Sequence, residues 1–210
     1  MSHSPADVKR EAAPRRRGTI RALMNGERRF SQAISDGDHI SLVALAPDDD
    51  SAHRAAADGA TALVARAPLG DHTLPVLWRG AGGPQAARNA AADACVLVAG
   101  DDDEERLVSR YHEVMDLGLD CVVQVAKEEE LERVLEALDP EVFLLTPGDQ
   151  RGEEALERVL ELLEDVPAGK LAVADLTPYD EDELAALERA GVDAVIVPLE
   201  SVAALAAAAP

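Results

Sequence analysis

Apolar and polar positions along this chain fall into blocks, and the blocks repeat as a strand followed by a helix. Eight short apolar runs punctuate the sequence: 39-HISLVALA, 60-ATALVARA, 73-TLPVLWRG, 94-ACVLVAG, 120-DCVVQVA, 141-EVFLLTPG, 171-LAVADLT and 193-DAVIVPLE. Seven are rich in Ile, Leu, Val and Ala. The third contains a proline but keeps the pattern. Runs with little polar alternation suit parallel strands buried on both faces. Most lead through an acidic or small-residue turn into an amphipathic segment. Eight such units in 210 residues predict an α/β fold, a closed (β/α)8 barrel of TIM type rather than an open sheet. Ligand chemistry in such a barrel belongs where strands end and helices begin.

The helical segments are 50-DSAHRAAADG, 83-GPQAARNAAA, 102-DDEERLVSRYHEVMDLG, 127-KEEELERVLEALD, 153-EEALERVLELLED, 180-DEDELAALERAG and 201-SVAALAAAA. In the fourth, Leu131, Val134, Leu135 and Leu138 recur at i, i+3, i+4 and i+7, one face of a helix. Its first turn is crowded with Glu, where the helix dipole favours negative charge. Gly118 and Gly191 stand where a glycine ends a helix before the next strand. One unit is irregular. Between the second and third strands lies only 67-APLGDHT, although a parallel crossover ordinarily takes a dozen or more residues. The helix after the second strand is therefore expected to be lost or shortened. A bare wall is expected there, for the N-terminal helix or a partner chain to cover, and incomplete cover again at the terminal alanine run.

Residues 1–14 are polar and short of large apolar groups, and read as a disordered tail. Residues 15–38 read as a basic helical extension, with Ile20, Leu23, Met24, Phe30 and Ile34 as its apolar stripe. Residues 39–210 read as the barrel domain. Charge divides along the same line. The net is −21, yet the first 30 residues hold eight Lys/Arg against three Asp/Glu. Residues 31–210 then hold twelve against thirty-eight. A body so acidic repels nucleic acid and anionic membrane, so neither is an expected partner. No apolar run is long enough to span a membrane and no secretory leader is visible, so the expected location is the cytoplasm. Cys95 and Cys121 lie inside apolar strands and read as free core residues.

Candidate chemistry is thin at the predicted mouth. Gly80, Gly82 and Gly83 form a glycine-rich turn after the third strand, with Pro84 opening a helix. Such a turn either cradles an anion on backbone N–H groups or simply bends. Two acidic triplets, Asp48-Asp49-Asp50 and Asp101-Asp102-Asp103, follow strands. They read as helix caps before a divalent-cation site. His39, His53, His72 and His112 have no metal-ligand spacing. There is no Walker loop, Cys-x-x-Cys or Gly-x-Ser-x-Gly, so no cofactor and no metal is expected.

Two stretches, 117-LGLDCVVQVAKEEELERVLEALDPEVFLLTPGDQ and 169-GKLAVADLTPYDEDELAALERAGVDAVIVPLES, resemble indole-3-glycerol phosphate synthase, the (β/α)8 lyase of tryptophan biosynthesis. Weaker echoes are 55-AAADGATALVAR, 74-LPVLWRG, 91-AADACVLVAG and 21-RALMNGERRF. The resemblance implies the barrel and an N-terminal extension. It also implies site positions, and there this chain departs from the family. The family's first strand carries Glu-x-Lys and a Ser-Pro-Ser loop, where this chain has 42-LVALAPDDD. The family's third-strand lysine, the expected general acid, is replaced by Arg79. The fifth-strand glutamate is replaced by Gln124, and its histidine by Ala126. The Asn-Asn-Arg after strand six is 146-TPG, and the Ser-Glu-Ser-Gly of strand seven is 174-ADLT, which places Asp175 at the glutamate. The phosphate-binding Gly-Glu-Ser after strand eight is 198-PLE.

Arginine is effectively always protonated and makes a poor proton donor; Gln124 cannot ionise; Pro198 offers no N–H to a phosphate. These losses together predict a divergent relative that has lost the family reaction. It would serve as a ligand-binding or interaction protein. A small phosphorylated or anionic ligand is the expected partner, with a protein partner or homo-oligomer left open. The alternatives are a working synthase, or another small-molecule lyase or isomerase using Arg79, Asp175 and the acidic loops. The three family positions point at one rim, so Arg79 and Asp175 are expected to pair and share a polar network with Gln124.

Overall fold

The computed structural model describes residues 29–37, 39–176 and 181–208. Eight parallel strands close into a barrel in chain order: β1 (Ser41–Leu45), β2 (Ala62–Ala65), β3 (Val76–Trp78), β4 (Ala94–Val98), β5 (Asp120–Val125), β6 (Val142–Leu145), β7 (Leu171–Ala174) and β8 (Ala194–Val197). The β1–β8 pairing closes it, with Val43 opposite Ile196. Helix α1 (Arg29–Ser35) precedes the barrel. The helices that follow strands are α2 (Asp49–Ala57), α3 (Gly83–Asn89), α4 (Glu104–Asp116), α5 (Glu128–Ala137), α6 (Glu153–Glu164), α7 (Glu181–Ala190) and α8 (Leu199–Ala208). The eight-stranded barrel expected from the hydrophobic pattern is thus the observed architecture.

Strand side chains alternate between two packed clusters. Val43, Leu77, Val122, Leu144, Val173 and Ile196 fill the barrel interior. Their neighbours, among them Leu63, Trp78, Cys121 and Val195, face the helices. Both faces are buried, which is why the strands read as continuous apolar runs.

The lower end of the barrel is filled from outside its own strands. Ala62, Ala94 and Ala194 open β2, β4 and β8 and belong to the interior cluster. Phe30 and Ile34 of α1 join that same cluster, 0% and 2% exposed. Small residues at strand starts leave room that the two larger side chains occupy. A seven-residue helix is marginal alone. Here the Asp120 carboxylate at the start of β5 accepts from Ser31 N–H at 2.8 Å, and Ser41 Oγ donates to Ile34 O at 3.2 Å. The described part of the N-terminal extension therefore lies beneath the barrel, not against its wall. Ile20, Leu23 and Met24, and residues 1–14, lie outside the described residues.

The crossover from β2 to β3 contains no helix, as the seven-residue spacer indicated. The expected bare wall is not there. Leu63, Ala65, Val76 and Trp78 on this wall are 0%, 1%, 2% and 5% exposed. The connection supplies its own cover: Leu69 is 8% exposed and packs into the outer cluster, with Leu74 against it. Gly70 N–H donates to Asp49 Oδ1 at 2.7 Å, tying the connection to α2. The chain's one tryptophan, Trp78, adds the bulk that a helix would otherwise bring. The alanine-rich α8 also covers its strands, burying Val202 and Leu205.

Helix boundaries follow local rules. Asp48 and Asp103 cap α2 and α4 by accepting from Ser51 N–H and Arg106 N–H. First turns are acidic: Asp49 and Asp50 in α2, Glu104 and Glu105 in α4, Glu128–Glu130 in α5, Glu153 and Glu154 in α6, and Glu181–Glu183 in α7. Gly118 and Gly191 take φ of 70° and 95° just past α4 and α7, the left-handed conformation expected of them. Among the described residues no helix is long and apolar enough to cross a membrane.

Candidate functional site

The upper end of the barrel carries the polar cluster. Leu77, Val122 and Val173 point inward, so the residues two further on, Arg79, Gln124 and Asp175, point inward one layer higher. The ladder continues through these positions: Arg79 N–H donates to Ala65 O at 2.9 Å, and Asp175 N–H to Leu145 O at 3.0 Å. Gln124 lies within β5, opposite Val98 and Leu144. A rigid parallel sheet thus fixes all three backbones.

Their side chains meet as expected. Arg79 Nη1 forms a short ion pair with Asp175 Oδ2, and Arg79 Nη2 donates to Gln124 Oε1 at 3.3 Å. The side chains of the pair are 22% and 18% exposed. They border a cavity of about 460 Å³ at the mouth. Thr146, Gly148, Gln150 and Arg151 also line it. Thr146 is buried at 7% exposure and donates through Oγ1 to Val125 O at 3.3 Å. Arg151 Nη1 donates to Gln150 O at 2.7 Å and Gly148 O at 3.3 Å. Among the described residues it pairs with no carboxylate. The cavity thus offers two guanidinium groups, one carboxylate, two amides and a hydroxyl. This set can bind a polar or anionic group. Among the described lining residues there is no lysine and no histidine for proton transfer near neutral pH.

Gln150 and Arg151 are the lining residues missed by sequence reasoning. The stretch 146-TPGDQR follows β6 on the expected rim. Its position was the available signal, since an isolated exposed arginine has no periodic signature.

The glycine-rich turn does not line this cavity. At Gly80 a Cβ would lie 2.5 Å from Trp78 Cζ2 and 2.6 Å from Arg66 O, so the missing side chain makes room for the indole and the adjacent backbone. Gly82 and Gly83 take φ of 90° and 65° and lead into α3, with Pro84 in its first turn. Gly80 is closely packed, and Gly82 and Gly83 have turn geometry.

In the acidic triplets, Asp48 and Asp103 act as helix caps. Asp48 accepts from Ser51 Oγ at 2.6 Å and from Ser51 N–H at 2.8 Å, and these bonds hold its carboxyl below the usual carboxylate range. Asp102 pairs with Arg110. Among the described residues no group of three or more His, Cys, Asp or Glu is placed to hold a metal ion. His39 pairs with Glu188 at 3.3 Å, His53 and His72 bond backbone carbonyls, and His112 is exposed beside Tyr111. Cys95 and Cys121 lie opposite one another on β4 and β5, buried and unbridged. Burial pushes the Cys95 thiol up to about 11 and the Cys121 thiol higher still. Both are protonated at neutral pH and poor nucleophiles.

No family model matches the chain. Among curated proteins it is similar to indole-3-glycerol phosphate synthases. The enzyme of Shouchella clausii is 30% identical over 107 residues, covering 50% of this chain and 42% of that protein. The enzyme of Lachnospira eligens is 31% identical over 117 residues, covering 53% and 43%. The chain spans less than half the length of these relatives. Among solved structures, N-acetylmannosamine-6-phosphate 2-epimerase from Clostridium perfringens matches with a TM-score of 0.61 at 14% identity, over 80% of this chain and 88% of that one. A native KDPGal structure matches with a TM-score of 0.54 at 15% identity, over 80% and 91%. The structural likenesses establish the barrel fold alone.

Proposed function

We propose that this chain is a barrel derived from indole-3-glycerol phosphate synthase that no longer catalyses the family's ring closure, and that its mouth holds a small ligand bearing an anionic group. One observation carries the reading: the positions of the family's acid and its carboxylate partners are taken by Arg79, Gln124 and Asp175, joined in one network. Ring closure needs a group that gives and regains a proton near neutral pH. The guanidinium of Arg79 does neither, and the amide of Gln124 does not ionise near neutral pH. Support for ligand binding comes from the 460 Å³ cavity, whose lining retains Arg79 and Arg151. Guanidinium groups recognise carboxylates and phosphates through paired hydrogen bonds.

The test is turnover of carboxyphenylamino-deoxyribulose phosphate by the purified chain. No indoleglycerol phosphate is expected above background. Clear turnover that Arg79→Ala abolishes would sink the reading in favour of a working synthase.

A further inference from the structure

We infer that Asp175 is an internal stand-in for the ligand's anionic group: it occupies the seat on Arg79 that an incoming carboxylate or phosphate takes, and it must yield for the ligand to bind. This rests on the ligand-binding reading of the mouth and adds to it the means by which the site is held closed. The contact has the features of a replaceable one. Asp175 reaches Arg79 through a single oxygen, Oδ2, and a single guanidinium nitrogen, Nη1. Among the described residues the second terminal nitrogen, Nη2, is engaged only by the neutral Gln124, at 3.3 Å. A guanidinium gains most from two parallel bonds to one anion, and this arrangement leaves that geometry unmade.

Position points the same way. Both side chains border the open cavity and keep about a fifth of their surface exposed, so a competing anion reaches Arg79 without unfolding the barrel. Arg151, which lines the same cavity, supplies a second guanidinium with no carboxylate partner among the described residues. With Asp175 seated, the three charges among the described lining residues sum to a single positive charge. With Asp175 displaced, Arg79 and Arg151 face the ligand together. Removing the charge of Asp175 while keeping its shape must therefore strengthen anion binding, whereas a carboxylate that merely buttressed the barrel would leave it unchanged.

Inorganic phosphate is the probe, titrated into the full chain by calorimetry and by fluorescence of Trp78, the residue before Arg79. Asp175→Asn is expected to lower the phosphate Kd by roughly tenfold or more, the scale of one hydrogen bond to a charged group. Asp175→Ser is expected to do the same, and the double variant Arg79→Gln/Asp175→Asn to lose the gain. Equal affinities in the wild type and both single variants would overturn the inference, as would a gain that survives loss of Arg79. The wild type supplies a test free of any Asp175 variant. Saturating phosphate is expected to move the guanidinium NMR signal of Arg79, identified by its absence in Arg79→Gln; an unmoved signal refutes displacement. These failures are distinct from failure of the functional reading, which turns on synthase turnover.

Discussion

Gly80 separates two explanations of the glycine-rich turn, and a single added methyl decides between them. In Gly80→Ala the new Cβ would stand 2.5 Å from Cζ2 and 2.8 Å from Cε2 of Trp78, and 2.6 Å from Arg66 O. The indole is 5% exposed and wedged against the barrel wall, and the Arg66 carbonyl is backbone. Neither yields easily. Forcing a methyl into a packed site costs about 1–3 kcal/mol, and contact with backbone places this case at about 2–3 kcal/mol. For a domain of this size each kcal/mol lowers Tm by about 2–4 °C, so the expected drop is roughly 4–12 °C. Trp78 fluorescence and circular dichroism both read the melt. Gly83→Ala is the control. Its Cβ meets nothing within 4 Å, and only its φ of 65° is strained, a cost of about 1–2 kcal/mol. If Gly80→Ala melted with the wild type yet lost phosphate binding, the packing explanation would fail and the turn would be an anion cradle.

Two further outcomes follow from the lower end of the barrel. Phe30→Ala empties a fully buried site beneath the strands, so it should cost about 3–5 kcal/mol and roughly 6–20 °C in Tm, read by thermal melting; a drop under 2 °C would mean that α1 does not seal the barrel. Asp193 is half-buried, and that burial raises its carboxyl above 3.8 against smaller opposing backbone hydrogen bonds. The fold therefore favours its protonated form, a contribution fully present below 3.8 and lost as pH rises through the higher folded value. Asn keeps the acceptor for Ala172 N–H and carries no charge, so Asp193→Asn should gain Tm relative to the wild type across that window and be at least as stable at neutral pH. A Tm difference that does not change with pH would refute this.

The strands were legible because both of their faces are buried, which leaves uninterrupted apolar runs such as 142-VFLL and 194-AVIV. The missing helix was legible from chain length alone. What closes the gap was not, because Leu69, Leu74 and Trp78 meet through the fold and share no local period. The stripe containing Phe30 and Ile34 was visible as well, but its place under the barrel depends on alanines that open three distant strands. Arg79, Gln124 and Asp175 were brought together in advance by the family resemblance alone. The close packing at Gly80 was not legible, since a sequence shows that a side chain is absent and not what stands in its space.

Every helix that follows a strand begins on the mouth side of a barrel, so the acidic first turns of α2, α4, α5, α6 and α7 ring one face of this molecule. Each helix N-terminus offers about half a positive charge, against two or three full negative ones in its first turn. The ring is net negative, and its consequence is kinetic. An anion diffusing toward Arg79 climbs a repulsive field before it meets a guanidinium, so encounter is slow in dilute buffer. Added salt shortens the reach of that field, to about 10 Å at 0.1 M, and association speeds up where a steered complex would slow down. Dissociation, governed by short-range contacts inside the cavity, responds far less. For the proposed anionic ligand, moderate salt would therefore speed the filling of this mouth.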